Sequence, residues 1–92
     1  MAAYLVVEGT PRDRKALELY GSQAIALMKE FGGEVMKFGP WQLLVGEQGH
    51  ANGMIVRFED ENAAHAWYNS PAYQALVELR EAALDCRIRV VG

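Results

Sequence analysis

Apolar, β-favouring side chains fill Ala3 to Glu8 (AYLVVE) and stop at Gly9, which predicts an opening strand. Thr10, Pro11 and Asp13 then read as a helix start, with Thr10 capping, Pro11 at the first helical position and Asp13 near the exposed amides. In that helix Leu17, Tyr20, Ala24, Leu27, Met28 and Phe31 recur at spacings of three and four, with Lys15, Glu18, Ser22 and Lys29 opposite, until Gly32-Gly33 stops it. Two β-like runs, EVMKF and WQLLVG, flank Gly39-Pro40 and predict one long bent strand from Glu34 to Gly46. The polar stretch Glu47 to Asn52 turns the chain into a strand at Met54 to Phe58. Glu59-Asp60-Glu61 opens a second helix with Asp60 as N-cap. Ser70-Pro71 breaks that helix after Asn62 to Asn69 and restarts it, Asp85 begins the exit, and Cys86 to Val91 is the last strand.

The order β-α-β-β-α-β predicts an α+β, ferredoxin-like sandwich: a four-stranded antiparallel sheet with two helices on one face, the second helix broken at Ser70-Pro71. At 92 residues the chain is expected to form one domain, 1–92. Alternation puts Leu5 and Val7 on one side of strand one and Tyr4 and Val6 on the other, while strand three offers Met54, Val56 and Phe58 against Ile55 and Arg57. Both faces of the sheet then read as apolar, and two helices cover only one. The expected partner is a second copy, joined through the helix-free face.

Nine Lys and Arg against twelve Asp and Glu give a net charge of −3, with no cationic face for nucleic acid. The longest apolar run, AIALM from Ala24 to Met28, is far short of a membrane span, and a strand-like segment rather than a leader follows Met1, so a cytoplasmic location is expected. Cys86 is the single cysteine and cannot form an internal disulfide.

Arg80 is the most informative position for chemistry. It falls in the apolar stripe of Tyr73, Leu76, Val77, Ala83 and Leu84, away from Gln74, Glu78 and Glu81. A guanidinium cannot be neutralised there, so it either pairs with a carboxylate such as Glu8 or Glu59, or reaches water, or receives an anionic ligand. Tyr20, Tyr68 and Tyr73, with Trp41 and Trp67, offer aromatic walls. Trp41 and Tyr73, beside a proline and a helix restart, suit a pocket better than Tyr20 and Trp67, which lie among core-forming neighbours. His65 has the titration range of a general base, yet Glu61 and Asn69 four residues to either side put it on a polar strip. His50 lies in the polar loop and reads as exposed; Cys86 reads as a small buried apolar residue. No metal-ligand spacing and no glycine-rich phosphate loop occur, so no cofactor is expected.

The segment AHAWYNSPAYQALVELREAA, Ala64 to Ala83, resembles the signature of domain-of-unknown-function family 1330, within the dimeric α/β-barrel superfamily. The opening AYLVVE, Asp13, Tyr20 and Gly32-Gly33 extend the resemblance over nearly the whole chain. It implies a ferredoxin-like subunit whose sheet packs on its twin's, and no settled activity. The wider superfamily includes cofactor-independent monooxygenases, haem-degrading enzymes and lactone isomerases. The haem-degrading members carry an Asn on the first strand, which AYLVVE lacks although His65 and Trp67 are present, so that set is not transferred. The expectation is a small homodimeric domain that binds a small organic, acidic molecule in a cleft beside the second helix, with Arg80 holding the anion. The alternatives are a cofactor-independent monooxygenase or isomerase, and a non-catalytic dimerisation module.

Overall fold

A computed structural model describes residues 1–92. In chain order the elements are β1 (Ala3–Pro11), α1 (Arg14–Glu30), β2 (Glu34–Pro40), β3 (Asn52–Phe58), α2 (Glu61–Asn69), α3 (Pro71–Gln74), α4 (Val77–Ala83) and β4 (Leu84–Val91). The sheet order is β2-β3-β1-β4, with every neighbouring pair antiparallel. This is the split βαβ arrangement read from the sequence.

The entrance to α1 differs from expectation. Thr10 and Pro11 stay in β1, where they pair with Asp85 and Leu84, and the cap passes to Asp13, whose carboxylate accepts from the Ala16 amide at 2.9 Å. Continuing the ladder with β4 satisfies more backbone than an earlier helix start would. At the far end Gly32 takes φ +82, and Gly33 lies so close to the Met28 carbonyl and the Phe58 ring that a Cβ would meet both at 2.9 Å.

β2 is shorter than expected. It bulges between Val35 and Lys37 and ends at Pro40, so Trp41 to Gly46 is not strand. The Trp41 amide donates to the Ala51 carbonyl at 2.8 Å, and beyond it the loop leaves Leu44 93% and Val45 88% exposed. The side chains favour a strand, but no neighbouring strand of this chain is there to pair with it.

Asp60 caps α2 by accepting from the Ala63 amide at 2.8 Å. At the Ser70-Pro71 break the Ser70 hydroxyl donates to the Trp67 carbonyl at 2.8 Å and accepts from the Tyr73 amide at 3.2 Å, so one side chain closes α2 and starts α3. A second break, at Ala75–Leu76, separates α3 from α4. The strand that follows starts at Leu84 rather than Cys86.

The core lies between the helices and one sheet face, with Trp67, Tyr73, Phe58, Leu5 and Val56 its largest fully buried side chains. The other face is not the apolar surface that alternation suggested. Register sets three cross-sheet rows on it: Glu34, Arg57, Tyr4 and Val91; then Lys37, Ile55, Val6 and Arg89; then Gly39, Gly53, Glu8 and Arg87. Tyr4, Val6, Ile55 and Val91 are thus framed by charge, and Glu8 pairs with both Arg87, at 3.8 Å, and Arg89. No helix is long and apolar enough to cross a membrane.

Candidate functional site

A cavity of about 640 Å³ opens between α2, α4 and the edge strand β4. Helical spacing on α2 brings Glu61, His65, Tyr68 and Asn69 to one wall; α4 supplies Arg80 and Glu81; β4 supplies Asp85, Cys86 and Ile88.

The break at Ala75–Leu76 carries Arg80 two turns beyond Tyr73, and the two remain in contact. Arg80 Nη1 donates to the Tyr73 hydroxyl at 3.1 Å, and that hydroxyl shares a 2.7 Å hydrogen bond with the Tyr20 hydroxyl from α1. The guanidinium is therefore held from behind by a buried pair of tyrosines. Its carboxylate partner is neither Glu8 nor Glu59. Glu8 lies on the opposite sheet face, and Arg80 Nη2 meets Glu81 at 3.3 Å, with the Arg80 side chain 13% exposed and that of Glu81 62% exposed. An ion pair with so solvated a carboxylate contributes little. Burial alone would lower the Arg80 pKa, but the hydrogen bonds its guanidinium donates, first to the Tyr73 hydroxyl and then toward Tyr68 and Glu81, outweigh it and keep it above its ordinary value. Arg80 stays cationic.

The expected site residues separate into three groups. Arg80, Tyr68 and His65 line the cavity together. Tyr73 and Tyr20 stand behind Arg80, buried, with Tyr73 against Trp67 at a ring separation of 4.2 Å. Burial, then the hydrogen bond to Tyr73, pushes the Tyr20 hydroxyl well above the ordinary tyrosine range. Trp41 is elsewhere: its ring lies against Gly53, where a Cβ would overlap it, and its Nε1 is buried without a partner. His50 is not free in its loop but half-buried, bonded through Nδ1 to the Thr10 hydroxyl at 2.8 Å.

The cavity also contains residues that sequence reasoning left aside. Cys86 is half-buried in its wall rather than in the core, and desolvation raises its thiol above the ordinary value. Glu61, Glu81 and Asp85 ring the cavity, with Asp85 3.9 Å from Arg12. No three of these groups come together as metal ligands. Glu61 and Asn69 were legible as helical neighbours of His65; Asp85 and Cys86 enter only through the register of β4. Chemically, the site offers one fixed cation held by the Tyr73 hydroxyl, which Tyr20 backs, with an imidazole and a thiol on the same walls.

The DUF1330 family model, a domain of unknown function, matches residues 2–92. No curated protein matches the chain. Among solved structures, the RPA0582 protein of unknown function from Rhodopseudomonas palustris superposes with a TM-score of 0.79 at 20% identity, over 98% of this chain and 80% of that one. SnoaB, a cofactor-independent oxygenase from Streptomyces nogalater, superposes with a TM-score of 0.71 at 12% identity, over 99% and 91%. A dimeric ferredoxin-like protein of unknown function from Jannaschia sp. CCS1 gives 0.67 at 18% identity, over 100% and 99%. At these identities the likeness is one of fold, and that fold is ferredoxin-like α+β.

Proposed function

The chain belongs to the DUF1330 family, and from that premise we propose that it is a single-domain, cytoplasmic, homodimeric protein that binds a small organic acid in the cavity between α2, α4 and β4. One observation supports this above the others. A permanent cation, 13% exposed, faces a cavity of about 640 Å³ with only a solvated carboxylate beside it. The Tyr20–Tyr73 pair fixes the guanidinium from behind, so its remaining donors are oriented before a ligand arrives. Glu61, Glu81 and Asp85 set a limit: their field disfavours polyanions and favours a single carboxylate that replaces Glu81 on Nη2.

The test is thermal unfolding with benzoate and a panel of small carboxylic acids, on the wild type and on Arg80→Ala. An acid at 100 times its dissociation constant adds about 2.7 kcal/mol, which the variant should lose. If no acid shifts either protein, the domain is a dimerisation module instead.

His65 supports a second reading. It lines the same cavity as Arg80, so an acid with an activated C–H could be deprotonated there, as a cofactor-independent monooxygenase or isomerase requires. Solvent deuterium exchange into a bound ketoacid, lost in His65→Ala and retained in His50→Ala, is the result that reading requires.

We propose that the dimer forms through the helix-free sheet face. Its rows set Glu8 and Glu34 among Lys37, Arg57, Arg87 and Arg89 around the apolar centre of Val6 and Ile55. A two-fold axis through such a face can bring each copy's carboxylates onto the other's cations.

A further inference from the structure

A second concavity, of about 420 Å³, runs beneath α1 on the helix-covered side of the sheet. Its roof is the inward stripe of α1, at spacings of three and four, and includes Leu17, Gly21, Ile25 and Met28. Its floor includes Val7, Met54 and Ile88, which point at the helices yet remain only partly buried, whereas Leu5 and Val56 on the same face are sealed.

Gly21 is the residue that calls for explanation. It sits in the interior of a 17-residue helix, where glycine is the poorest helix former after proline, and on the stripe where a larger apolar side chain would complete the core. Close approach does not account for it: a Cβ there would meet nothing within 4 Å. This contrasts with Gly33, which backbone and ring atoms crowd. The chain thus gives up both helix propensity and core filling at a position whose side-chain space opens into the groove.

The lining identifies what that space would accept. Both buried aromatics in it have their polar atoms engaged elsewhere, Tyr20 with the Tyr73 hydroxyl and Trp67 Nε1 with the Ala24 carbonyl at 3.2 Å. The only other polar side chains are Glu18 and Asn52, both exposed. A charged or strongly polar ligand would lose hydration without recovering it, whereas an apolar one loses only contact with water. Phe38, 76% exposed at the groove, would be covered by such a ligand.

We infer that the groove beneath α1 is a second ligand site, distinct from the Arg80 cavity, which takes a small uncharged aromatic or alicyclic molecule. Gly21 keeps it open, and its occupancy does not depend on Arg80.

The experiment is an NMR titration of the wild-type protein with indole. Saturable shifts are expected at Gly21, Gly39, Met54 and Trp67. Gly21→Leu, which fills the space, should weaken indole at least tenfold, while Arg80→Ala changes it less than twofold. Gly21→Ala serves if the leucine variant fails to fold, and it should both melt higher and bind indole more weakly. Absence of saturable shifts in the wild type, or unchanged affinity in the glycine variants, overturns the inference. So do shifts that grow with protein concentration without indole, since a second copy would then occupy the groove. Benzoate binding reports only on Arg80, so the two sites fail separately.

Discussion

The Tyr73 hydroxyl accepts from Arg80 Nη1 at 3.1 Å and lies 2.7 Å from the Tyr20 hydroxyl, so a single oxygen ties a cavity-facing cation to the interior of α1. Tyr73→Phe leaves the Tyr20 hydroxyl buried without its partner and Arg80 short of one acceptor. The expected cost is about 1–3 kcal/mol in urea denaturation. Tyr20→Phe should cost less, because Arg80 keeps Tyr73. Equal stability of Tyr73→Phe and wild type would show that the relay contributes nothing.

The same burial has a pH signature. Desolvation raises Tyr20 above its ordinary 10.0 and Cys86 above its ordinary 9.0. Each group holds its proton in the folded chain at a pH where the unfolded chain has lost it, so the folded state binds more protons and stability falls as pH rises. The contribution is complete below about pH 8.5, declines first through Cys86, and declines further from about pH 10 through Tyr20. Urea midpoints measured between pH 7 and 11 should fall less steeply above pH 10 in Tyr20→Phe, and less steeply near pH 9 in Cys86→Ala.

Two glycines should respond with opposite signs. At Gly33 an added methyl meets the Met28 carbonyl and the Phe58 ring at 2.9 Å, so Gly33→Ala should cost about 1–3 kcal/mol. At Gly21 the methyl enters open space within a helix, so Gly21→Ala should add roughly 0.5–1 kcal/mol. Calorimetry of the two variants reads the difference directly.

Val6 lies at the centre of the helix-free face, beside Ile55 and Arg89 in register. If that face joins two copies, Val6→Asp places an unpaired carboxylate in the interface and should produce folded monomers in sedimentation velocity. A dimer of unchanged affinity would move the interface elsewhere, with the exposed Leu44 and Val45 as the next candidates.

Local signals carried most of the fold into the sequence. Ser70-Pro71 announces its helix break because the serine hydroxyl and the proline ring each act within one turn, and Asp60 caps for the same reason. Trp41 to Gly46 misleads because propensity scores side chains, while a strand also needs a neighbour to bond. The misplaced cap at Thr10 has a similar origin: its backbone belongs to a ladder with Asp85, 75 positions away. The site was half visible. Arg80 in an apolar stripe is a local anomaly, but its partners Tyr20 and Tyr73 meet only across α1 and α3. The charge on the outer sheet face emerges only once register aligns Glu8 with Arg87 and Arg57 with Glu34.

The most direct measurement is a titration of the wild-type protein with benzoate, monitored through the Arg80 side-chain Nε–H resonance and the ring signals of Tyr68 and His65. Binding of an acid at Arg80 requires saturable shifts at all three positions, with the same dissociation constant, and their loss at Tyr68 and His65 in Arg80→Ala. Shifts at Tyr68 and His65 that persist unchanged in Arg80→Ala, or none in the wild type across the carboxylate panel, would contradict it.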